Sequence, residues 1–366
     1  MARIDAFLKL GREQGCSDVH LAVGAPPLLR MNGEIMPIRF RELGDRELLG
    51  YIFEILSENL KTRYRLGEDL DFSYMSEGVG RFRANVFRKV NGIGATFRYI
   101  PSHVPSLNDL GLPPVVNRLA EHRQGMVLVT GSTGTGKSTT LAAMLDLING
   151  QDALNVITLE DPIEFIHTSR RAQIVQREIG THVPGFIEGL RSALREDPDV
   201  ILVGELRDPE SIMMAMVAAE TGHLVLATLH TTTAVKTIDR IIDALPMEQR
   251  EQGKSFLANN LRGVISQVLV RSAEGGGRRV VVESLAMTPA VGQMLLSDKT
   301  HQIPSVMQTG REAGMQLLDQ ALLDGIQRKL IDPDDAYLYA QDKKAFQRFV
   351  TDASLLPRVG LAGGGM

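Results

Sequence analysis

The spacing of hydrophobic positions along the chain changes near residue 100. Before that point, apolar residues either alternate with polar ones, which predicts strands with one buried face, or recur every three to four positions, which predicts amphipathic helices. The predicted fold of residues 1–100 is therefore an antiparallel sheet with helices packed on it. The pattern places helices at 3–14 and 45–64, and strands at 18–23, in a 28–38 hairpin around Asn32-Gly33, and at 70–75, 80–90 and 93–100.

Residues 101–114, PSHVPSLNDLGLPP, carry four prolines and few apolar residues, which indicates a linker. After the linker the strands are almost wholly apolar and are separated by helical segments. Strands that are apolar on both faces predict a parallel sheet covered by helices on both sides. These strands are MVLVT, NVITL, DVILVG and HLVLATL.

The remainder of the second predicted domain, which spans 115–353, is expected to be mainly helical. One strand, RRVVVESLAM, interrupts it. Residues 354–366 end in LAGGGM and are predicted to be a disordered tail. Helices are predicted at 236–245, 247–259, 261–270, 314–329 and 333–350.

Composition limits the possible functions of these two domains. The chain has 366 residues, and 43% of them are hydrophobic. Its net charge is −4, so its overall charge does not attract it to nucleic acid. Its one cysteine, Cys16, excludes an intrachain disulfide and a multi-cysteine zinc site. The N-terminus lacks a secretory signal and no apolar stretch is long enough to span a bilayer. These features predict a cytosolic protein that meets membranes only peripherally.

The first apolar strand of the second domain runs into GSTGTGKST at 131–139, which matches the P-loop pattern G-x-x-x-x-G-K-[ST]. A chance match on a glycine-rich turn is the alternative, but the strand in front and the helix behind favour phosphate binding. Lys137 would reach the β- and γ-phosphates and Ser138 would bind Mg²⁺. The predicted nucleotide contacts in the loop are Ser132, Thr133, Gly134, Thr135, Gly136, Lys137, Ser138 and Thr139.

Carboxylates follow two of the other apolar strands. Glu160 and Glu164 follow NVITL, where they could activate water or contact Mg²⁺, or form only a solvated acidic turn. Glu205 follows DVILVG and could hold Mg²⁺ or orient the attacking water, unless it is a solvated residue at a strand end. Arg207 comes two residues later, within reach of phosphate or of a neighbouring subunit.

Histidines and arginines add further candidates. His223 and His230 bracket the strand HLVLATL, where they are expected to be structural or nucleotide-sensing groups, with His230 also a candidate catalytic base. Arg81 and Arg83 share one face of a predicted strand and Arg98 lies on the next. A solvated sheet face and a set of phosphate-binding arginines explain this stripe equally well.

Four segments in order, GSTGTGKST, ITLEDPIE, DPDVILVGELRD and TGHLVLATLHT, resemble the Walker A, Asp, Walker B and His boxes of the secretion-type hexameric ATPases. The resemblance runs from about residue 3 to 350 and implies an α/β fold with a PAS-like N-terminal α+β domain and a RecA-like P-loop domain. It also implies a homohexamer that uses ATP and Mg²⁺. The catalytic carboxylate would be one of Glu160, Glu164 and Glu205, with Glu205 favoured, and Arg81, Arg83 and Arg98 would close on the phosphates.

Within that family the chain is most similar to motors that retract type IV pili. This resemblance implies a cytoplasmic ATPase, peripheral at the inner membrane, that acts on an inner-membrane pilus platform protein. The near-neutral charge and the lack of an aromatic and basic groove predict that it binds no nucleic acid. Retraction motors carry a late AIRNLIR motif, which here reads AVGQMLL at 290–296, without either arginine. The sequence therefore leaves a second interpretation open, an accessory paralogue that works with another pilus ATPase, or a nucleotide-responsive scaffold with little turnover.

Overall fold

A computed structural model describes residues 2–31, 34–101 and 103–356. The contacts divide the chain into two compact units, the first covering 1–103 with 164–166 and the second covering 104–163 with 167–366. The predicted linker, 101–114, contains the boundary between the two units, and its own limits stay a prediction.

Within residues 2–31 and 34–101, the first unit forms a six-stranded antiparallel sheet with the order β3-β2-β1-β6-β5-β4. Alternate residues of β5 confirm the predicted pattern, since Phe82, Ala84 and Val86 are buried in the core of this unit. The elements are α1 (Asp5–Glu13), β1 (Asp18–Ala22), β2 (Leu28–Met31), β3 (Glu34–Pro37), α2 (Asp45–Ile55), α3 (Glu58–Arg65), β4 (Leu70–Ser76), β5 (Gly80–Lys89) and β6 (Gly92–Ile100).

The helix predicted at 45–64 is wrong in one respect, because it is two helices. Ser57 has an extended backbone and its hydroxyl accepts the N–H of Leu60 at 3.4 Å, which caps a new helix. Asn32-Gly33, the predicted hairpin turn, lies outside the described residues, although β2 and β3 on either side of it pair antiparallel.

Across residues 103–356, the second unit contains a seven-stranded sheet with the order β13-β12-β7-β11-β10-β8-β9. In this order, the six strands from β12 to β9 run parallel to one another, and β13 runs antiparallel to β12. The strands are β7 (Gly125–Thr130), β8 (Asn155–Glu160), β9 (Gln173–Glu178), β10 (Val200–Val203), β11 (Leu224–Leu229), β12 (Leu261–Arg271) and β13 (Arg278–Ala286).

Helices cover both faces of this sheet, as the apolar strands predict. Alternate residues of β7 enter different clusters, with Met126 and Leu128 in one and Val127 and Val129 in the other. The helices are α4 (Val115–Ala120), α5 (Lys137–Gln151), α6 (Phe186–Ala193), α7 (Pro209–Glu220), α8 (Ala234–Ala244), α9 (Arg250–Asn260), α10 (Pro289–Leu296), α11 (Ile303–Thr309), α12 (Leu318–Gln327), α13 (Pro333–Tyr339) and α14 (Lys343–Phe346).

The helix predicted at 261–270 is wrong, because this segment forms strand β12. It pairs with β7 on one side and β13 on the other, so apolar residues on both of its faces are buried. A short apolar run of this kind has no periodicity that distinguishes a buried strand from a buried helix. The strand places residues 266 and 267 beside the end of β7, which matters for the site described below.

Smaller differences concern the helix bounds and the end of the chain. The helix predicted at 314–329 begins only at Leu318, because Gly314 has a left-handed backbone and Gln316 forms a bridge to β13. The helix predicted at 333–350 ends at Tyr339. Residues 353–355 form a 3-10 turn, residue 356 follows it, and residues 357–366 of the predicted tail lie outside the described residues.

None of the helices within the described ranges combines the length and the apolarity needed to cross a membrane.

Candidate active site

The P-loop connects β7, which ends at Thr130, to α5, which begins at Lys137. Gly131 and Gly136 have φ angles of 144° and 85°, which favour glycine. At Gly131 a side chain would also collide with the sheet, since its Cβ would lie 2.5 Å from the carbonyl oxygen of Gln267. Gly136 caps α5 without any side-chain hydrogen bond, and the first turn of α5 contains no acidic residue. The helix start is therefore suited to an anion.

Lys137 is the cation of this loop. Lys137 is only 9% exposed, and its Nζ donates to the carbonyl oxygens of Gly131 at 2.9 Å and Ser132 at 3.0 Å. These bonds hold the ammonium group across the loop, where phosphate oxygens can replace the carbonyl oxygens as its partners.

An open cavity of about 620 Å³ lies beside the loop in the second unit. Ser132 to Thr135 form one wall, and Thr232, Thr233 and Lys236 at the start of α8 contribute to another. Cavities of this size accommodate small-molecule ligands such as nucleotides.

The parallel sheet brings three predicted residues to one edge. Glu205 follows β10, Arg207 lies two residues further on, and His230 follows β11. The Glu205 carboxylate accepts from Nε of Arg207 at 2.9 Å and lies 2.9 Å from Nε2 of His230. Nη1 of Arg207 reaches Asp161 after β8 at 3.4 Å. Pairing with Glu205 raises the pKa of Arg207, so the guanidinium stays charged.

The order of the strands places this cluster on the same edge as the P-loop. Leu229 at the end of β11 is in register with Thr130 at the end of β7, so His230 leaves the sheet beside the loop. Glu205 leaves the next strand, β10. A basic loop, a histidine and a carboxylate thus follow three adjacent strands, which is the arrangement needed for chemistry on a bound phosphate.

The other predicted carboxylates have different surroundings. Glu160 ends β8, and its Oε1 accepts from Thr158 Oγ1 at 2.6 Å and from Gln176 Nε2 at 3.1 Å. Glu164 groups with the first unit and not with the P-loop unit. Catalytic and metal-binding roles for these two residues stay predictions.

His223 lies at the opposite edge of the sheet from the P-loop. It precedes β11, where its carbonyl oxygen accepts the N–H of Gly125 at 3.0 Å, and Gly125 begins the strand that ends at the P-loop. Its Nδ1 lies 2.8 Å from the carbonyl oxygen of Ala218. The length of strand β11 therefore separates His223 from the P-loop of the same chain. The geometry of one chain gives no support to the predicted contact between His223 and the nucleotide.

The predicted phosphate-binding arginines belong to the first unit. Arg83 and Arg98 are cross-strand partners on β5 and β6, and both are exposed. A role for them and for Arg81 at the phosphates stays a prediction. Their side-chain partners include Ser73 for Arg81 at 2.9 Å, Asp71 for Arg83 at 3.7 Å and Asp18 for Arg98 at 2.9 Å.

Gln267 on β12 is a functional candidate that sequence reasoning missed. It is 2% exposed, its Nε2 donates to the carbonyl oxygen of Thr135 at 2.6 Å, and its Oε1 accepts from Thr140 Oγ1 at 3.0 Å. The amide therefore ties the P-loop to the first turns of α5. A glutamine inside the apolar run GVISQVLV was the available signal, since a buried amide needs partners.

We expect Gln267→Leu to raise the KM for ATP about tenfold and to change kcat little, because the loop loses two hydrogen bonds that hold its shape. Steady-state ATPase assays at several ATP concentrations measure both constants. Gln252→Leu on the exposed side of α9 is the matched control. An unchanged KM in Gln267→Leu would show that these bonds do not shape the nucleotide site.

Comparisons with known proteins agree with this geometry. A family model described as Type II/IV secretion system protein matches residues 12–354. The chain is 45% identical to the type IV pilus retraction ATPase PilT of Pseudomonas aeruginosa over 91% of this chain and 96% of that one. It is 35% identical to the type IV pilus ATPase PilU of the same organism, over 92% and 88% of the two chains. A crystal structure of the pilus retraction motor PilT with bound ADP matches with a TM-score of 0.89 and 40% identity, covering 95% and 99%.

Proposed function

Because the chain belongs to the Type II/IV secretion system protein family, we propose that it hydrolyses ATP to power the retraction of type IV pili. The predicted α/β fold class and the predicted family are confirmed by these relatives. One observation carries the proposal: the P-loop lies on the same sheet edge as the Glu205–His230 pair. The chain that contains this arrangement matches a retraction ATPase over nearly its whole length.

In this proposal each residue of the sheet edge has one task in hydrolysis. Lys137 and the N–H groups at the start of α5 bind the phosphates of ATP and offset their charge. Glu205 orients the water that attacks the γ-phosphate, and His230 holds the Glu205 carboxylate in place from the neighbouring strand. Arg207 keeps the other carboxylate oxygen in position and bridges it to Asp161.

The donor groups near the P-loop fit Mg²⁺. Mg²⁺ takes oxygen ligands such as hydroxyls and carboxylates, together with waters and the phosphates of the substrate. Ser138 at the start of α5, with Glu205 and Glu160 partly through water, would hold it. When bound, the ion neutralises charge on the phosphates.

The proposed motor is a homohexamer in the cytoplasm, peripheral at the inner membrane, that acts on a pilus platform protein. Arg81, Arg83 and Arg98 would meet the phosphates in such an assembly, some of them from an adjacent subunit. A paralogous pilus ATPase is a further proposed partner. The exposure of Arg83 and Arg98 supports this role, since exposed guanidinium groups can bind phosphate oxygens.

A second function, an accessory pilus ATPase with little turnover, is favoured by the altered motif on α10. Gly292 and Leu296 occupy the two positions where retraction motors carry arginines. Gly292 lies close to α9, since a Cβ there would be 3.4 Å from the carbonyl oxygen of Ala258. Identity of 45% to a retraction ATPase against 35% to PilU nevertheless supports the retraction function over the accessory one.

We expect deletion of the gene to produce cells with an excess of surface pili and without twitching motility, because fibres then assemble but are not withdrawn. Counting pili by electron microscopy and measuring colony spreading test this. Restoring the wild-type gene is the control, and the gene with Lys137→Ala should not restore motility. Cells without pili would indicate an extension motor instead, and a normal pilus number would indicate an accessory role.

A further inference from the structure

Glu283 is a buried carboxylate to which the proposed hydrolysis assigns no task. It lies within β13, opposite Ser266 of β12, and it is 3% exposed. Burial raises the pKa of its carboxyl group, and hydrogen bonds from the backbone at Ala234 and Leu318 act in the opposite direction. Buried carboxylates are costly unless they are hydrogen-bonded, so these partners explain how the residue is accommodated.

The two oxygens of Glu283 bind the starts of two different helices. Oε1 accepts the N–H of Ala234, the first residue of α8, at 2.7 Å. Oε2 accepts the N–H of Leu318, the first residue of α12, at 3.4 Å. The first N–H groups of a helix have no partner within the helix and form the positive end of its dipole. One carboxylate therefore accepts an N–H at each of the two helix starts.

The start of α8 lies four residues after His230. The short segment between them is also held from the helix side, since Thr231 Oγ1 lies 2.6 Å from Thr237 Oγ1 and Thr233 accepts the N–H of Lys236 at 3.2 Å. A segment this short has little freedom. The position of Ala234 therefore limits where His230 can lie, and Nε2 of His230 is 2.9 Å from Oε1 of Glu205.

The start of α12 is held by the same strand. Ser284 and Gln316 form an antiparallel bridge in which each N–H donates to the carbonyl oxygen of the other at 3.0 Å. This bridge brings Leu318 to Glu283. Strand β13 thus fixes α12 by backbone bonds and fixes both α8 and α12 by one side chain.

We infer that Glu283 is a positioning residue, which holds His230 against Glu205 by binding the start of α8 and links this arrangement to the start of α12. Its effect on catalysis rests on the proposed ATPase function. Its effect on the two helix starts does not depend on that function.

Glu283→Gln tests the inference with little change in side-chain shape. The amide keeps only one acceptor oxygen, since its NH₂ group cannot accept an N–H, and the negative charge that faces both helix starts is lost, so both helix starts are held more weakly. We expect kcat for ATP to fall about tenfold, because His230 is held less firmly against Glu205. The KM should change less than kcat, because the P-loop keeps all its contacts and only the α8 side of the cavity is loosened. Ser284→Ala is the matched control. Its buried hydroxyl donates to the carbonyl oxygen of Gly314 at 2.7 Å, so the variant should lower the melting temperature and leave kcat unchanged.

A double variant separates positioning from general loss of stability. If Glu283 acts through His230, then Glu283→Gln combined with His230→Ala should lose no more kcat than His230→Ala alone. A merely structural role predicts that the two losses multiply, and this result would overturn the inference. So would an equal loss of kcat in Ser284→Ala.

Amide hydrogen exchange tests the link between the helices without any ATPase assay. Glu283→Gln should increase exchange at both Ala234 and Leu318 relative to the wild type and to Ser284→Ala. Unchanged exchange, or a change at only one of the two helix starts, contradicts the proposed link. If the wild-type protein hydrolyses no ATP, the proposed function fails, and the exchange measurement still decides whether Glu283 holds both helices.

Discussion

ATP hydrolysis falls about 10³-fold in Glu205→Gln, while ATP still binds, because the variant keeps the P-loop and loses the charge that orients the attacking water. The amide oxygen of glutamine can still face Nε2 of His230, so the local structure is expected to survive. The charged bond to Arg207 is lost. Single-turnover ATPase assays and a direct binding measurement with a fluorescent ATP analogue separate the two effects.

Glu210→Gln is the control for this change. Glu210 lies on α7, five residues after Glu205, and its exposed carboxylate pairs with Arg191 at 3.0 Å. An exposed pair of this kind contributes little to stability, so the control should keep wild-type turnover. Turnover in Glu205→Gln near that of the control would mean that another carboxylate orients the water. Glu160→Gln and Glu164→Gln would then be the next variants to measure.

Lys137→Ala is expected to reduce ATP binding and hydrolysis together by at least about 10²-fold, because the loop loses the one charge that pairs with the phosphates. The bonds of Nζ to Gly131 and Ser132 disappear as well, so the loop also loses an internal support. Binding of an ATP analogue and the steady-state ATPase rate are the two measurements.

Lys9→Ala provides the matching lysine control. Lys9 lies on α1 of the first unit with an exposed side chain, 4.0 Å from the carboxylate of Glu13. Its loss should leave binding and turnover unchanged. Wild-type nucleotide affinity in Lys137→Ala would contradict the assignment of 131–139 as the phosphate-binding loop, whatever the fate of the other residues at this sheet edge.

The contrast between Lys137 and Gln267 shows which parts of the site could be predicted. Lys137 belongs to a contiguous motif, and the strand before it and the helix after it are visible in the same stretch of sequence. Gln267 acts on the same loop, but it is 132 residues away from Thr135, to which it donates. No local pattern contains that contact, because it arises only when β12 pairs with β7.

Glu205 and His230 lie between these two cases. Each follows an apolar strand, so the sequence predicts that both lie at an end of a parallel sheet. Their 2.9 Å contact depends on β10 and β11 being neighbours in a particular register. His223 illustrates the limit of such reasoning, since it belongs to the same strand segment as His230 but lies at the other edge of the sheet.

The sequence by itself determined the α/β class, the place of the P-loop motif between a strand and a helix, the strands that carry the acidic residues and the family. These features depend on residues close together along the chain, where hydrophobic periodicity and backbone chemistry act locally. Only the tertiary structure decided that 261–271 is a strand, that Gln267 supports the P-loop and that Glu283 binds two helix starts. Those outcomes depend on strand order and register, which are set by packing between distant segments.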